Sequence, residues 1–214
     1  MAAQRGAPEF DAQCRLCPRL AGHLDAVRAE HPDYHAAPVP PFGDSSAQLL
    51  IVGLAPGLHG ANATGRPFTG DHAGILLYQT LFATGFANQA TATRPDDGLE
   101  LIGCRITNAV KCLPPGNKPT TAEVRTCNRY LVREIQAVAP AVIVALGRVA
   151  HDAVIRAQEL KLSAWPFAHG RWHELPAGPA LLDSYHCSRY NTQTGRLTAD
   201  MLHTIFRQAR SRCR

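Results

Sequence analysis

Leu49-Leu50-Ile51-Val52-Gly53-Leu54-Ala55-Pro56-Gly57 opens with an unbroken apolar run and closes in a Gly/Pro turn. A short run that is apolar at every position, without alternation, suits a strand covered on both faces. Three later stretches repeat the pattern. Cys104-Arg105-Ile106-Thr107-Asn108-Ala109-Val110, Ala141 through Gly147, and Ala180-Leu181-Leu182-Asp183-Ser184-Tyr185-His186 each read as a strand. Between them the apolar spacing turns helical, over about Ala73 to Phe86, over Thr120 to Val138, and from Arg148 onward. The second of these starts with a capping box, Thr120-x-x-Glu123, just after Pro119, and Pro140 ends it. A last helix is expected over Thr198 to Arg210, and Ala90 to Gly98 is a polar loop. Strands alternating with helices predict an α/β domain. We expect three αβα layers around a central, mostly parallel four-stranded sheet. No repeat, low-complexity tract or linker divides residues 1–214, so one domain is expected.

In such sheets, ligands bind beyond the carboxyl ends of the strands. The loops after Gly53, Asn108, Gly147 and His186 are therefore the places to look. The turn Gly53–Gly57 is neither GxGxxG nor a phosphate loop ending in GK[ST]. Its small residues allow backbone to approach a planar ligand, or make an ordinary turn. The loop continues as Thr64-Gly65-Arg66-Pro67-Phe68-Thr69-Gly70-Asp71. Phe68 is read either as a platform for a base or as a core anchor. Asp71 is read as the cap of the next helix or as a group that activates water. Asn108 is a turn residue, or it reads a base edge with its paired donor and acceptor. His186 ends the last strand, where a donor can stabilise a leaving group that gains charge. In the loop after it, Arg189 suits a phosphate or minor-groove contact, Tyr190 can wedge or stack, and Asn191 continues that loop. A solvated turn is the plain alternative. No lysine stands out as placed for lyase chemistry.

Seven cysteines include two separated pairs, Cys14-x-x-Cys17 and Cys112 with Cys127. These make four soft ligands, the number that a tetrahedral zinc or an iron–sulfur cluster needs. A site built from them would tie the N-terminal segment to the middle of the fold. Met1 to Gly6 leads into polar sequence with no apolar core of a secretory signal, and no run is long enough to span a bilayer. The expectation is a cytoplasmic, nucleoid-associated protein whose grouped cysteines hold metal instead of forming disulfides. Net charge is +5 with a pI near 9.0, compatible with a phosphate-rich partner. Arg207, Arg210, Arg212 and Arg214 give a basic C-terminal end, either a backbone contact or a solvated terminus. Nothing demands more than a monomer.

Gly53–Gly57, Gly65–Asp71, Asn108 through Pro119, Cys127 and His186–Gln193 together resemble the iron–sulfur uracil-DNA glycosylases, most closely the type b (family 5) branch. The best-known uracil-DNA glycosylases carry Asp where this chain has Ala55, and the other cluster-containing branch carries Glu where it has Leu54. The type b enzymes resemble this chain in lacking both. Where the family usually has Pro after the histidine, this chain has Cys187. The resemblance implies a [4Fe–4S] cluster on Cys14, Cys17, Cys112 and Cys127, with zinc as the alternative. It also implies Phe68 stacking on an extruded base, Asn108 at its edge, His186 near its O2, and Asp71 positioning water. Gly53, Ala55 and Gly57 would line the base site. The implied activity is excision of uracil, and of other deaminated bases such as hypoxanthine, from DNA. A non-catalytic iron–sulfur DNA-binding protein of the same fold is the alternative.

Overall fold

The computed structural model describes residues 10–176 and 178–213. Met1 to Gly6 and Arg214 lie outside them. Four parallel strands form the centre of one sheet: β2 (Leu49–Gly53), β3 (Cys104–Asn108), β4 (Val142–Leu146) and β6 (Ala180–Ser184). These are the four strands expected. Two short antiparallel strands, β1 (Phe42–Gly43) and β5 (Trp172–Glu174), add themselves at the edges and bring the sheet to six. Two or three residues are too few to carry a hydrophobic period, which is why the sequence pattern yields four. The order is β1-β3-β2-β4-β6-β5, so the winding reverses at β2.

Every residue of β2 and β4 is buried, because helices cover both faces. Leu50, Val52, Ile143, Ala145 and Leu181 point into one core with α1 (Pro18–Glu30), α4 (Thr121–Val138) and α5 (Arg148–Ala157). Leu49, Ile51, Val142, Val144 and Leu182 point into the other with α3 (His72–Ala83) and α7 (Ala199–Arg212). This is the three-layer αβα arrangement. Two further short helices, α2 (Ala61–Thr64) and α6 (Arg189–Gln193), sit in loops at the carboxyl edge. The capping box forms as read: Thr120 N–H donates to Glu123 Oε2 at 2.7 Å, and Glu123 N–H to Thr120 Oγ1 at 3.2 Å. Glu123 also takes a bidentate pair from Arg19, 2.8 and 2.7 Å, which fastens α1 to α4. Arg210 lies over the Phe86 ring and Arg212 over Trp172, so two of the C-terminal arginines pack on the fold.

The register decides where chemistry collects. Gly53 pairs with Asn108 across β2 and β3, and Leu146 with Ser184 across β4 and β6. All four strands therefore end on one edge, and the loops after them meet there.

Near that edge a buried carboxylate gathers one end of the sheet. Asp183 Oδ1 lies 2.7 Å from His151 Nδ1, and Oδ2 lies 2.9 Å from His173 Nε2 and 3.2 Å from the Ala168 N–H. The other His151 nitrogen lies 2.8 Å from the Trp165 carbonyl oxygen. Both partners of His151 only accept, so both of its nitrogens donate and the ring is an imidazolium. The ligating atoms of His151, His173 and Asp183 lie within 4.8 Å of one another, and in this hydrogen-bonded state the trio clamps the end of the sheet. Burial opposes this charge, but the hydrogen bond and charge of Asp183 outweigh it and raise the pKa. A group raised on folding stabilises fully below its unfolded value of about 6.5, and that contribution fades as pH rises through the folded value. The melting-temperature gap between wild type and His151→Gln should therefore shrink from pH 6 to pH 9. A gap that stays constant would refute the imidazolium.

Candidate active site and cysteine cavity

A cleft of about 600 Å³ opens at the carboxyl edge of the sheet. Ala55, Gly57, Phe68, Asp71, Asn108, His186, Arg189 and Tyr190 all line it, so residues scattered over 136 positions of sequence converge as expected. Gly53 lies beneath. A Cβ added there would stand 2.4 Å from Asn108 Oδ1 and 2.6 Å from Phe68 Cζ. Glycine at this position is what lets the amide and the ring approach the strand end together.

Phe68 is 5% exposed and holds a left-handed backbone, φ 54°. A large residue in that region is strained, and such strain persists only where the surroundings impose it. Here they do. Tyr78 Oη–H donates to the Pro67 carbonyl at 2.7 Å. Arg66 donates to Thr69 Oγ1 at 2.8 Å and to both oxygens of Asp97 at 2.9 and 2.8 Å. The loop is fixed from both sides of the ring.

Asp71 does what its position before a helix predicts: its Oδ1 accepts the Gly74 N–H at 2.8 Å, capping α3. Its second oxygen faces the Gly57–Gly60 turn, 3.6 Å from where a Gly57 Cβ would be. Burial raises its pKa, partly offset by the Gly74 and Ala73 N–H groups. Asn108 is buried, and its Oδ1 has no hydrogen-bond partner among the described residues. A buried carbonyl oxygen left unpaired is costly unless a ligand completes it. His186 is half-buried and lines the cleft. Burial takes its pKa down to about 4, so it is a neutral imidazole at neutral pH. Its ring centroid is 6.0 Å from that of Phe68.

After His186 the chain forms α6 where a loop was expected. Ser188 caps it, its side chain accepting the Asn191 N–H. Tyr190 is 70% exposed, the most open large hydrophobic at the rim. Asn191 turns inward, its Nδ2 donating to the His186 carbonyl at 2.8 Å. Cys187, which stands where a proline is usual, is fully buried, and a small apolar side chain fills that place. Two lining residues carried no sequence signal as site groups. His72 lines the cleft and bonds Thr192 Oγ1 at 3.0 Å, linking α3 to α6. Lys118 lines it too.

The four cysteines form a separate site. Cys14, Cys17, Cys112 and Cys127 line one small apolar cavity with Leu20, Val110 and Tyr130. The N-terminal segment is thus fastened to the middle of the fold. The Lys111 N–H donates to Cys127 Sγ at 3.3 Å. Burial pushes the Cys112 thiol up to about 12, and the neighbouring Cys127, Cys14 and Cys17 add to it. Of the other three, Cys104 and Cys187 are buried in the opposite core with Cys213 packed against it. Among the described residues, no helix is long and apolar enough to cross a membrane.

Comparison with known proteins agrees with this geometry. The family model of the uracil DNA glycosylase superfamily matches residues 40–210. The chain is 47% identical to a type-5 uracil-DNA glycosylase of Thermus thermophilus, over 92% of each chain. It is 42% identical to one of Pyrobaculum aerophilum, over 92% of this chain and 87% of the relative. It is 45% identical to one of Mycobacterium leprae, over 95% and 94%. With the match spanning the whole sheet and every wall of the cleft, the chain belongs to the uracil-DNA glycosylase superfamily, in its type-5 branch.

Proposed function

We propose that this chain is a monofunctional DNA glycosylase that extrudes uracil from DNA and hydrolyses its N-glycosidic bond. The observation that carries the reading is the unpartnered, buried Oδ1 of Asn108 beside the Phe68 ring. An acceptor held there suits the N3–H of uracil, and the same amide offers a donor to the adjacent carbonyl. Hypoxanthine presents the same pair through N1–H and its carbonyl, so it is admitted as a second substrate. Cytosine presents the reverse pair and is refused.

In this reading the base leaves the stack, at a cost of a few kcal/mol, and lies against Phe68. Arg189 and Tyr190 sit at the rim, where the first contacts phosphate and the second fills or wedges the gap left behind. As the bond breaks, negative charge grows on the base. Neutral His186 donates to it, helped by backbone N–H groups of the Gly53–Gly57 turn. Water, oriented by the Asp71 carboxylate, adds to the cationic sugar and gives up its proton, which neutralises the released base anion. With Ala55 in place of an acid, catalysis rests on stabilising the leaving group more than on a strong base.

The four cysteines that line one cavity supply the four thiolates of an iron–sulfur cluster. Cys14, Cys17, Cys112 and Cys127 would hold it, and its part is to lock the N-terminal segment onto α4. Anaerobically purified protein should be brown and carry about four irons per chain. Cys112→Ala should lose colour and iron together and melt at a lower temperature. Stoichiometric zinc in colourless, active protein would sink this assignment.

The function is tested by single-turnover release of free base from duplexes containing uracil, hypoxanthine or cytosine, using cluster-loaded protein. Release of uracil and hypoxanthine with an intact abasic strand is the expected result. Tight binding without release would identify a non-catalytic DNA-binding protein instead. Strand cleavage that requires Lys118 would overturn the monofunctional reading.

A further inference from the structure

His186 stands two residues beyond β6, and the three residues that deliver it are each held by a different part of the fold. Asp183 is held through its carboxylate by His151, His173 and the Ala168 N–H. Its backbone pairs with the same segment: Gly170 N–H donates to Asp183 O at 2.8 Å, and Asp183 N–H to Arg171 O at 3.0 Å. Ser184 O accepts the Gly147 N–H at 2.7 Å. Tyr185 is held by His169. The Tyr185 N–H lies 3.0 Å from His169 Nδ1, and the two rings stack at 4.8 Å with 9° between their planes. Arg196 also lies over the Tyr185 ring, 4.6 Å from its centroid. Residues 165–171 thus form a strap pinned by Asp183, and His169 is the point where it grips the residue before His186.

We propose that His169 is a positioning residue for His186, its unprotonated Nδ1 fixing the Tyr185 amide so that the imidazole of His186 meets the leaving base. The chemistry of the contact requires this form of the ring. Tyr185 N–H is a donor, so Nδ1 must accept, and the ring must be the neutral Nε2–H tautomer. Burial lowers the His169 pKa, only partly opposed by Asp183, and this keeps the ring neutral at neutral pH. The strap therefore needs two histidines in opposite states: His151 charged to hold Asp183, and His169 neutral to hold Tyr185. The inference rests on the role given to His186 above.

The experiment is single-turnover uracil release together with duplex affinity for three variants. His169→Ala should slow release by about tenfold, a fraction of what a misplacement of about 1 Å costs, with unchanged DNA affinity. His169→Asn, whose side-chain oxygen falls near the Nδ1 position, should recover most of the rate. His169→Phe, which keeps the stacked ring and loses the acceptor, should stay slow. A Phe variant at wild-type rate, or an Ala variant without loss, would overturn the proposal. Should the variants fold poorly, the ¹⁵N shift of His169 Nδ1 in wild type decides: an unprotonated nitrogen is expected, and a protonated one refutes it. If His186→Ala itself releases uracil normally, the assignment of His186 falls. If only the His169 variants are silent, the positioning role alone falls.

Discussion

His186→Ala should slow uracil release by about 10²- to 10³-fold, the loss expected when one donor to a developing anion is removed. Asp71→Asn should cost less. The asymmetry follows from what each side chain does in the resting protein. His186 has no hydrogen bond from its ring to the described residues, lines the cleft, and is kept neutral by burial that takes its pKa to about 4. It is a donor in reserve for a ligand. Asp71 already commits one oxygen to the cap of α3. Asparagine retains that cap through its carbonyl oxygen and removes only the charge, so the variant isolates the effect on water. Both rates should be measured in single turnover, where product release does not mask the chemical step. A dead Asp71→Asn beside an active His186→Ala would reverse the ranking and mean that a general base carries the reaction. The same low pKa has a second consequence. The rate should show no break near pH 6.5, because His186 does not change charge there.

Much of this site was legible in the sequence because it hangs on strands whose signal is strong. Leu49–Gly53 is a strand to the residue; the loop after it carries Phe68 and Asp71, and the last residue of β3 is Asn108, all at the expected edge. The capping box gave the start of α4 because its two bonds are local. Other features were hidden for physical reasons. The sequence pattern reads as a strand through His186, but β6 stops at Ser184: Gly147 and His169 hold Ser184 and Tyr185 from across the fold, and Asn191 holds the His186 carbonyl. No period records those contacts. α6 has five residues, too few for a helical period, and only the Ser188 cap hints at it. α1 was readable in principle, with Pro18 at its start and Leu20, Leu24 and Val27 buried along one face. Asp183, His151 and His173 lie far apart in sequence and look like ordinary core or surface positions until the sheet brings them together. The cysteine pairs were conspicuous, but their meeting in one cavity exists only in three dimensions.

Gly74→Ala should abolish most base release and lower the melting temperature, although ordinary helix propensity predicts the reverse. Alanine in a helix interior is favoured over glycine by about 1 kcal/mol. Gly74 sits in the first turn of α3, and no unusual backbone angle requires glycine there. What requires it is the neighbouring loop: a Cβ would lie 1.8 Å from the Phe68 carbonyl oxygen. Neither backbone can yield cheaply. The helix is capped by Asp71, and the Phe68 loop is held by Tyr78 and Arg66. Relieving the clash moves Phe68 by more than about 1 Å, a displacement of the size that costs about 10² in rate. Gly22 provides the control. It is exposed in α1, with nothing within 4 Å of an added Cβ, so propensity alone should act there. Gly22→Ala should raise the melting temperature by about 2–4 °C and leave base release unchanged. If Gly74→Ala behaved like Gly22→Ala, stabilised and fully active, then the close approach of Phe68 to α3 would not be what holds the stacking ring in the cleft.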